Sequence, residues 1–189
     1  MNRLIFYYID NFNKSEIQKL DRSISIIYRN YYRSMKKKDI MDLIKLCKNH
    51  GRKVYFSNNL KIALKYNFNG LYIPSFNKHL KYKNIQRKDF EIIGSAHNVK
   101  EIKIKEKQGC SKIFLSPVFK TKKNGNCLGS IKIKLLKNFT TRKIICLGGI
   151  DEKSLKKIHH LRAQGFASIS WIKKNGPSIN TGPFYKLKS

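Results

Sequence analysis

Lys143-Ile144-Ile145-Cys146-Leu147-Gly148-Gly149-Ile150 is the stretch whose reading decides the fold. Its apolar run, Ile144 to Leu147, reads as a buried strand that opens into two glycines. Without a Cβ, paired glycines let backbone N–H groups come close to a ligand. A second stretch, Gly165-Phe166-Ala167-Ser168-Ile169-Ser170, reads the same way. A helix that follows such a strand adds unpaired donors and the positive end of its dipole. Two such tips side by side make a cup for a phosphate. The rest of the chain reads as the scaffold that places this cup at one mouth of a barrel.

Outward from that stretch, short apolar runs recur with helix-like segments between them. The expected strands are Leu4–Ile9, Ile24–Arg29, Lys53–Ser57, Gly70–Ile73, Glu91–Gly94, Lys112–Ser116, Lys143–Leu147 and Phe166–Ser170. Helices are expected at Lys14–Asp21 behind Asn13, at Met35–His50 before Gly51, and at Leu60–Tyr66. Three more follow at Asn98–Gln108, Ser130–Lys137 and Glu152–Ala163, with Asn98 as N-cap, Gly109 as stop and Asp151 near the start of the last. Ser75–Asp89 is lysine-rich and supports a weak helix at most.

Strands alternating with helices imply an α/β protein, and continuously apolar strands imply a parallel sheet buried on both faces. A closed (β/α)8 TIM barrel is the simplest solution, with its ligand site at the C-terminal strand ends. The chain has 189 residues, short for that fold, and after Ile172 only KKNGPSINTGPFYKLKS remains. One barrel domain is therefore expected over 1–172 and an irregular tail over 173–189, with the last helix incomplete or missing. The last wall is then thin, or completed by a partner subunit in a homo-oligomer.

Lys and Arg number 41 against 11 acidic residues, a net charge of +30. Such an excess raises a nucleic-acid reading. The lysines are scattered through almost every segment, beside abundant Ile and Asn, and no aromatic-plus-glycine RNA motif occurs, so nucleic acid is not the expected partner. A small phosphorylated substrate benefits equally from the positive field. The four cysteines, Cys47, Cys110, Cys127 and Cys146, show neither CxxC nor a metal-ligand spacing with histidine. Unpatterned thiols suggest a reducing compartment, here the cytoplasm. Leu4–Ile9 is too short for a signal-peptide core, and no run approaches the ~20 residues of a membrane helix, so no membrane partner is expected.

Three motifs stand in order at expected strand ends. They are Gly94-Ser95-Ala96-His97-Asn98, then Phe114-Leu115-Ser116-Pro117-Val118-Phe119-Lys120-Thr121, then Leu147-Gly148-Gly149-Ile150. Together with Gly165–Ser170 they resemble the thiamine phosphate synthase family, which includes the related thiazole tautomerases. The resemblance covers residues 91–172 well and the first half less well. It implies a TIM barrel. It also implies that a pyrimidine pyrophosphate is joined to a thiazole phosphate with magnesium, releasing pyrophosphate, or, in the tautomerases, that a thiazole carboxylate phosphate is rearranged.

Carried over residue by residue, the family's Ser-x-His element falls on Ser95 and His97. Its phosphate-touching Thr-x-Thr loop falls on Thr121, Lys122 and Lys123, and its next lysine on Asn124. The phosphate cup falls on Gly148 and Gly149, with the last backbone donors at Ile169 and Ser170. In the first half the family's Gln-x-Arg-x-Lys falls on Ile27, Arg29 and Tyr31, so only the arginine is kept. Its Asn-Asp falls on Ser57 and Asn58, and its second magnesium aspartate on Asn77. Amides at both carboxylate positions argue against the octahedral magnesium that the resemblance implies, since that ion usually takes one or two carboxylates.

Each position also has a plain alternative. Gly148-Gly149 can be a simple strand–helix turn, and His97 can cap a helix rather than move a proton. Arg29 can be a strand-end ion partner or a pyrophosphate clamp. Lys120, Lys122 and Lys123 can be a solvated run or a loop that closes over phosphate. His159-His160 reads as helix surface. The competing functions are a synthase-type transferase, a tautomerase with His97 as proton shuttle, a non-catalytic thiazole phosphate binder, and, on charge alone, an RNA-associated protein.

Overall fold

Eight parallel strands pair in chain order and the last closes on the first. The computed structural model describes residues 3–30, 36–82, 85, 87–121 and 125–175. In order, the elements are β1 (Leu4–Ile9), α1 (Lys14–Lys19), β2 (Ile24–Tyr28), α2 (Lys37–Asn49), β3 (Val54–Ser57), α3 (Leu60–Lys65), β4 (Gly70–Ile73) and β5 (Glu91–Ala96). They continue as α4 (Val99–Lys107), β6 (Lys112–Leu115), α5 (Gly129–Lys137), β7 (Lys143–Leu147), α6 (Glu152–His160), β8 (Gly165–Ala167) and α7 (Ser170–Asn175). The (β/α)8 expectation holds.

The alternation of each strand explains both cores. Phe6, Tyr8, Ile27, Tyr55, Tyr72, Ile93, Phe114, Ile145 and Ala167 turn inward and fill the barrel. Their neighbours in sequence, such as Ile26, Phe56, Leu71, Ile113 and Cys146, face the helices. A parallel strand buried on both faces reads as a continuous apolar run, which is why these segments are legible. The inner plug is aromatic: Tyr8 meets Tyr72 edge-on at 5.5 Å, and Tyr72 meets Phe114 at 5.6 Å. Such T-shaped pairs each add roughly 0.5–1.5 kcal/mol beyond their buried area.

Helix starts follow from short polar side chains. Asn13, Asn59, Asn98 and Asp151 each accept a hydrogen bond from the amide three residues on, at Glu16, Ile62, Glu101 and Ser154. Asp151 and Ser154 complete a reciprocal capping box.

Two expectations change at the end of the chain. Strand eight stops at Ala167, not Ser170: its neighbour β7 ends at Leu147, the register partner of Ala167, and turns away through the glycine pair. The Ser168 hydroxyl then accepts from the Trp171 amide at 3.3 Å and turns the chain into a helix. The last helix is short, and Lys173, Lys174 and Asn175 extend it rather than opening an irregular tail. Between β4 and β5 no helix occurs among the described residues. Met35 lies outside the described residues, and α2 begins at Lys37.

Two buried charges tie the walls together. The Arg52 guanidinium donates to the carbonyls of Asp21, Ile24 and Leu20 at 2.9, 2.9 and 3.0 Å, and to that of Ile17 at 3.4 Å. At the base of the barrel Glu91 accepts from Lys112, from Tyr55 at 2.6 Å and from Ser111 at 2.7 Å. Burial alone would raise the Glu91 carboxyl, but these bonds outweigh it and hold it down at about 2. A depressed carboxyl stabilises the fold above its unfolded value and loses that contribution as pH falls toward the folded one. Glu91→Gln is expected to cost about 3 kcal/mol at neutral pH, because Lys112 keeps a buried charge without a counter-ion. It should also flatten the loss of stability between pH 4.5 and 2 that the parent shows; urea midpoints across that range are the measurement.

Candidate functional site

The C-terminal strand ends form one mouth, the end at which ligands bind in this architecture. Period-two alternation carries the inward face upward from the aromatic plug. Beyond Tyr8 it reaches Asp10, beyond Ile27 Arg29, beyond Tyr55 Ser57, beyond Ile93 Ser95, and beyond Phe114 Ser116. Ser57 and Ser95 are buried at the rim of the plug. Arg29 lies with its guanidinium 5.2 Å from the Tyr8 ring centre and its Nε 3.5 Å from Asp10 Oδ1. That pair is long and solvent-accessible, so it contributes little to stability and leaves the guanidinium available to an anion.

At β3 and β4 the rim is made of amides. Asn58 adopts a left-handed φ of 60°, which suits asparagine, and its Oδ1 accepts from Asn77 Nδ2 at 2.6 Å. The same Nδ2 contacts the Tyr82 hydroxyl at 2.8 Å, and Asn77 Oδ1 accepts from the His79 amide at 3.0 Å. Beneath this turn Lys105 is fully buried. Its ammonium donates to the carbonyls of Pro74 and Asn77, both at 2.8 Å, and to Gln108 Oε1 at 2.9 Å. Three acceptors match the three donors of an ammonium, although burial pulls its pKa down to about 8.

His97 follows β5. Its Nδ1 faces the Ser116 carbonyl, which can only accept, so Nδ1 carries a proton. Nε2 lies 3.0 Å from Ser75 Oγ, and the His97 amide donates to Glu101 Oε2 at 2.8 Å. The imidazole thus spans the loops after β4 and β6.

At β6, β7 and β8 the rim is backbone. Register pairs Leu147 with Ala167, so the glycine pair and Ser168 leave neighbouring strands at one level, about 4.8 Å apart. Gly148 and Gly149 have φ of 91° and 69°, left-handed values that glycine adopts freely. Their carbonyl side packs on the loop after β6: the Val118 and Phe119 amides donate to Leu147 O at 2.9 Å and Gly148 O at 3.2 Å. A Cβ on Gly149 would lie 2.5 Å from Phe119 O and 2.6 Å from Lys120 O. The amides of Gly148, Gly149, Ile169 and Ser170 have no hydrogen-bond partner among the described residues. Neighbouring unpaired amides at a strand–helix junction suit a phosphate dianion.

A family model described as thiamine monophosphate synthase matches residues 20–172. The chain belongs to this family. The thiamine-phosphate synthase of Prochlorococcus marinus subsp. pastoris is 32% identical over 138 residues, covering 71% of this chain and 39% of that protein. The Clostridium acetobutylicum thiamine-phosphate synthase is 26% identical over 136 residues, covering 70% of this chain and 64% of that protein. The chain spans about two fifths of the length of the Prochlorococcus relative. The solved thiamine phosphate pyrophosphorylase from Pyrococcus furiosus superposes with a TM-score of 0.73 at 12% identity, covering 94% of this chain and 93% of that one, and shows the fold.

For a synthase-family barrel, the residues singled out from sequence fall into four groups around one mouth. Arg29 stands with Asp10 and Tyr8, Asn58 with Asn77, and His97 with Ser75 and Ser116, while Gly148 and Gly149 abut Pro117–Lys120. Thr121 lies in the loop after β6; Lys122, Lys123, Asn124 and Tyr31 lie outside the described residues. Sequence reasoning missed Asp10, Ser75, Ser116 and Lys105. Lys105 had a signal: it continues the Val99, Ile102 row of a helix at spacing three, where an apolar residue is expected. Among the described residues, clefts of 940 and 540 Å3 lie beside α2 and at the barrel base, away from the strand C-termini. No helix among the described residues is long and apolar enough to cross a membrane.

Gly149→Ala is expected to cost about 1–3 kcal/mol, from overpacking against two carbonyls and a left-handed φ, whereas Gly125→Ala, with nothing within 4 Å of the added methyl, should be close to neutral. Lys105→Met should cost about 2–4 kcal/mol by leaving buried acceptors unpaired; urea unfolding of each variant is the check.

Proposed function

We propose that the protein is a transferase of the thiamine phosphate synthase type, joining a pyrimidine pyrophosphate to a thiazole phosphate. The observation that carries this reading is the pair of adjacent strand tips, Gly148-Gly149 and Ile169-Ser170, whose amides await an acceptor in a chain of this family. The thiazole phosphate is held at these amides, with Thr121 in the loop after β6; Lys122 and Lys123, which follow it in sequence, are the cations the resemblance assigns to the same phosphate. The thiazole nitrogen gives its electron pair to the pyrimidine methylene carbon. The carbon–oxygen bond to pyrophosphate breaks, and that electron pair leaves with the pyrophosphate. The transition state therefore gains negative charge on the leaving group, and Arg29 with the positive field of the chain stabilises it. Ser57, Asn58 and Ser95 line the pyrimidine side. His97, anchored at Nδ1, presents Nε2 and Ser75 as a hydrogen-bonding pair at the rim.

Magnesium is the ion the resemblance implies, and the donors at the matching positions do not fit it. Asn58 and Asn77 are neutral and already bonded to each other, and no group of three or more His, Cys, Asp or Glu able to hold a metal occurs among the described residues. The same amide pair favours a second reading, a thiazole phosphate binder that does not transfer.

Isothermal titration with thiazole phosphate tests the shared core, and pyrophosphate release with both substrates, with and without magnesium, tests the transfer. Saturable binding with turnover is the expected outcome. Absence of heat at millimolar thiazole phosphate rejects both readings, and binding without pyrophosphate release selects the binder.

A further inference from the structure

The 940 Å3 cleft beside α2 lies at the other end of the barrel from the strand-end mouth. Its walls are α2, the loop into β3, the end of α3 and the loop into β4, with Arg87 ahead of β5. Half of its fourteen lining residues are Lys or Arg, against 41 of 189 in the chain, and none is acidic. Evenly scattered lysine therefore does not account for it. Lys37, Lys48, Lys53, Lys65 and Arg87 make no salt bridge with Asp or Glu among the described residues. The cations come from four separate segments and converge on one space without a counter-charge.

Fixed donors stand among them. Asn69 Oδ1 accepts from the Val54 amide at 2.9 Å, which holds that side chain and leaves its Nδ2 as a donor. The Arg87 guanidinium lies 5.7 Å from the Phe90 ring centre, and its Nη1 is buried without a hydrogen-bond partner among the described residues. Arg52 Nε, on another lining residue, is buried and unpartnered in the same way. A buried donor left unpaired costs about 1–3 kcal/mol, so orphans beside a cleft call for an acceptor from outside the chain. Met41, Ile44 and Val54 give the cleft an apolar wall, and Met41 is 53% exposed. A flexible thioether adapts to whatever lies on it. The volume is that of a small-molecule site. A single carboxylate would leave most of these cations unanswered, whereas a chain of phosphates carries charge enough for several.

We propose that this cleft is a second anion site, remote from the strand-end mouth, and that it takes a nucleoside polyphosphate. The phosphates lie among Lys48, Lys53, Lys65 and Arg87, and the base lies against Met41 and Ile44. The proposal is independent of the transfer reading, because none of these residues belongs to the mouth.

Calorimetric titration of ATP and of inorganic tripolyphosphate tests it, without magnesium and at about 0.15 M salt, where exposed charges are largely screened beyond a few ångströms. The parent should bind ATP saturably, with or without saturating thiazole phosphate. Lys48→Gln/Lys65→Gln and, separately, Arg87→Gln should each weaken ATP about tenfold or more, the scale of one lost charge-assisted bond. Lys132→Gln/Lys134→Gln removes the same charge from α5 and should leave ATP binding unchanged. Tripolyphosphate should bind more weakly than ATP, and Met41→Ser should narrow that gap. No saturable binding at millimolar ATP overturns the proposal. So does displacement of ATP by thiazole phosphate, or an equal loss in the cleft and α5 double variants. Tripolyphosphate binding as tightly as ATP overturns the nucleoside assignment.

Discussion

Backbone meets backbone where Gly148-Gly149 passes under the loop after β6, and there is no space for a methyl group between them. That contact determines what the rest of the mouth can be. The Val118 and Phe119 amides extend the β6–β7 pairing past the ends of both strands. From the other side, Leu128 N donates to Pro117 O at 2.8 Å and Gly129 N to Val118 O at 3.0 Å. His97 reaches the same segment through the Ser116 carbonyl. One short loop is thus fastened to β5, β7 and α5, and the Leu147 and Gly148 carbonyls are engaged while the Gly148 and Gly149 amides have no partner among the described residues.

The two sides of the mouth are built from different materials. Around β6 to β8 the rim is made of main-chain amides, which most side-chain replacements leave untouched once the glycines are kept. Around β2 to β4 it is made of side chains, where one substitution changes charge and donor type outright. Asn77 donates to Asn58 Oδ1 and accepts from the His79 amide, so both of its amide atoms are engaged within the protein.

The barrel was legible because parallel strands buried on both faces must be apolar throughout, and LIFYYI, KVYF and KIICL carry no other good reading. The helix starts were equally plain at Asn13, Asn98 and Asp151, where a short polar side chain precedes a helical stripe. The end of β8 was not, since Ser168-Ile169-Ser170 suits a strand as well as a cap, and what decides is that the neighbouring β7 ends at Leu147, level with Ala167. The site was legible in parts. Gly148-Gly149 and His97 stand out as residue types. Asp10, Ser75 and Ser116 become meaningful only when the barrel brings separate loops together. Lys105 was hidden among many lysines, and its importance comes from Gly94, a residue on a different element that makes room for its stem.

The Arg52 guanidinium bears on how the chain is assembled. Helix α1 has six residues, far below the roughly 12–15 at which a helix begins to hold in water by itself. Its last carbonyls, at Ile17 and Leu20, are satisfied by an arginine that lies beyond the second βα unit. On the ribosome, the opening strand and helix therefore lack their stabilising donor until translation has passed the third strand's threshold. The first unit is a dependent of the third, and the nascent amino-terminal segment matures as one block with the wall that follows it.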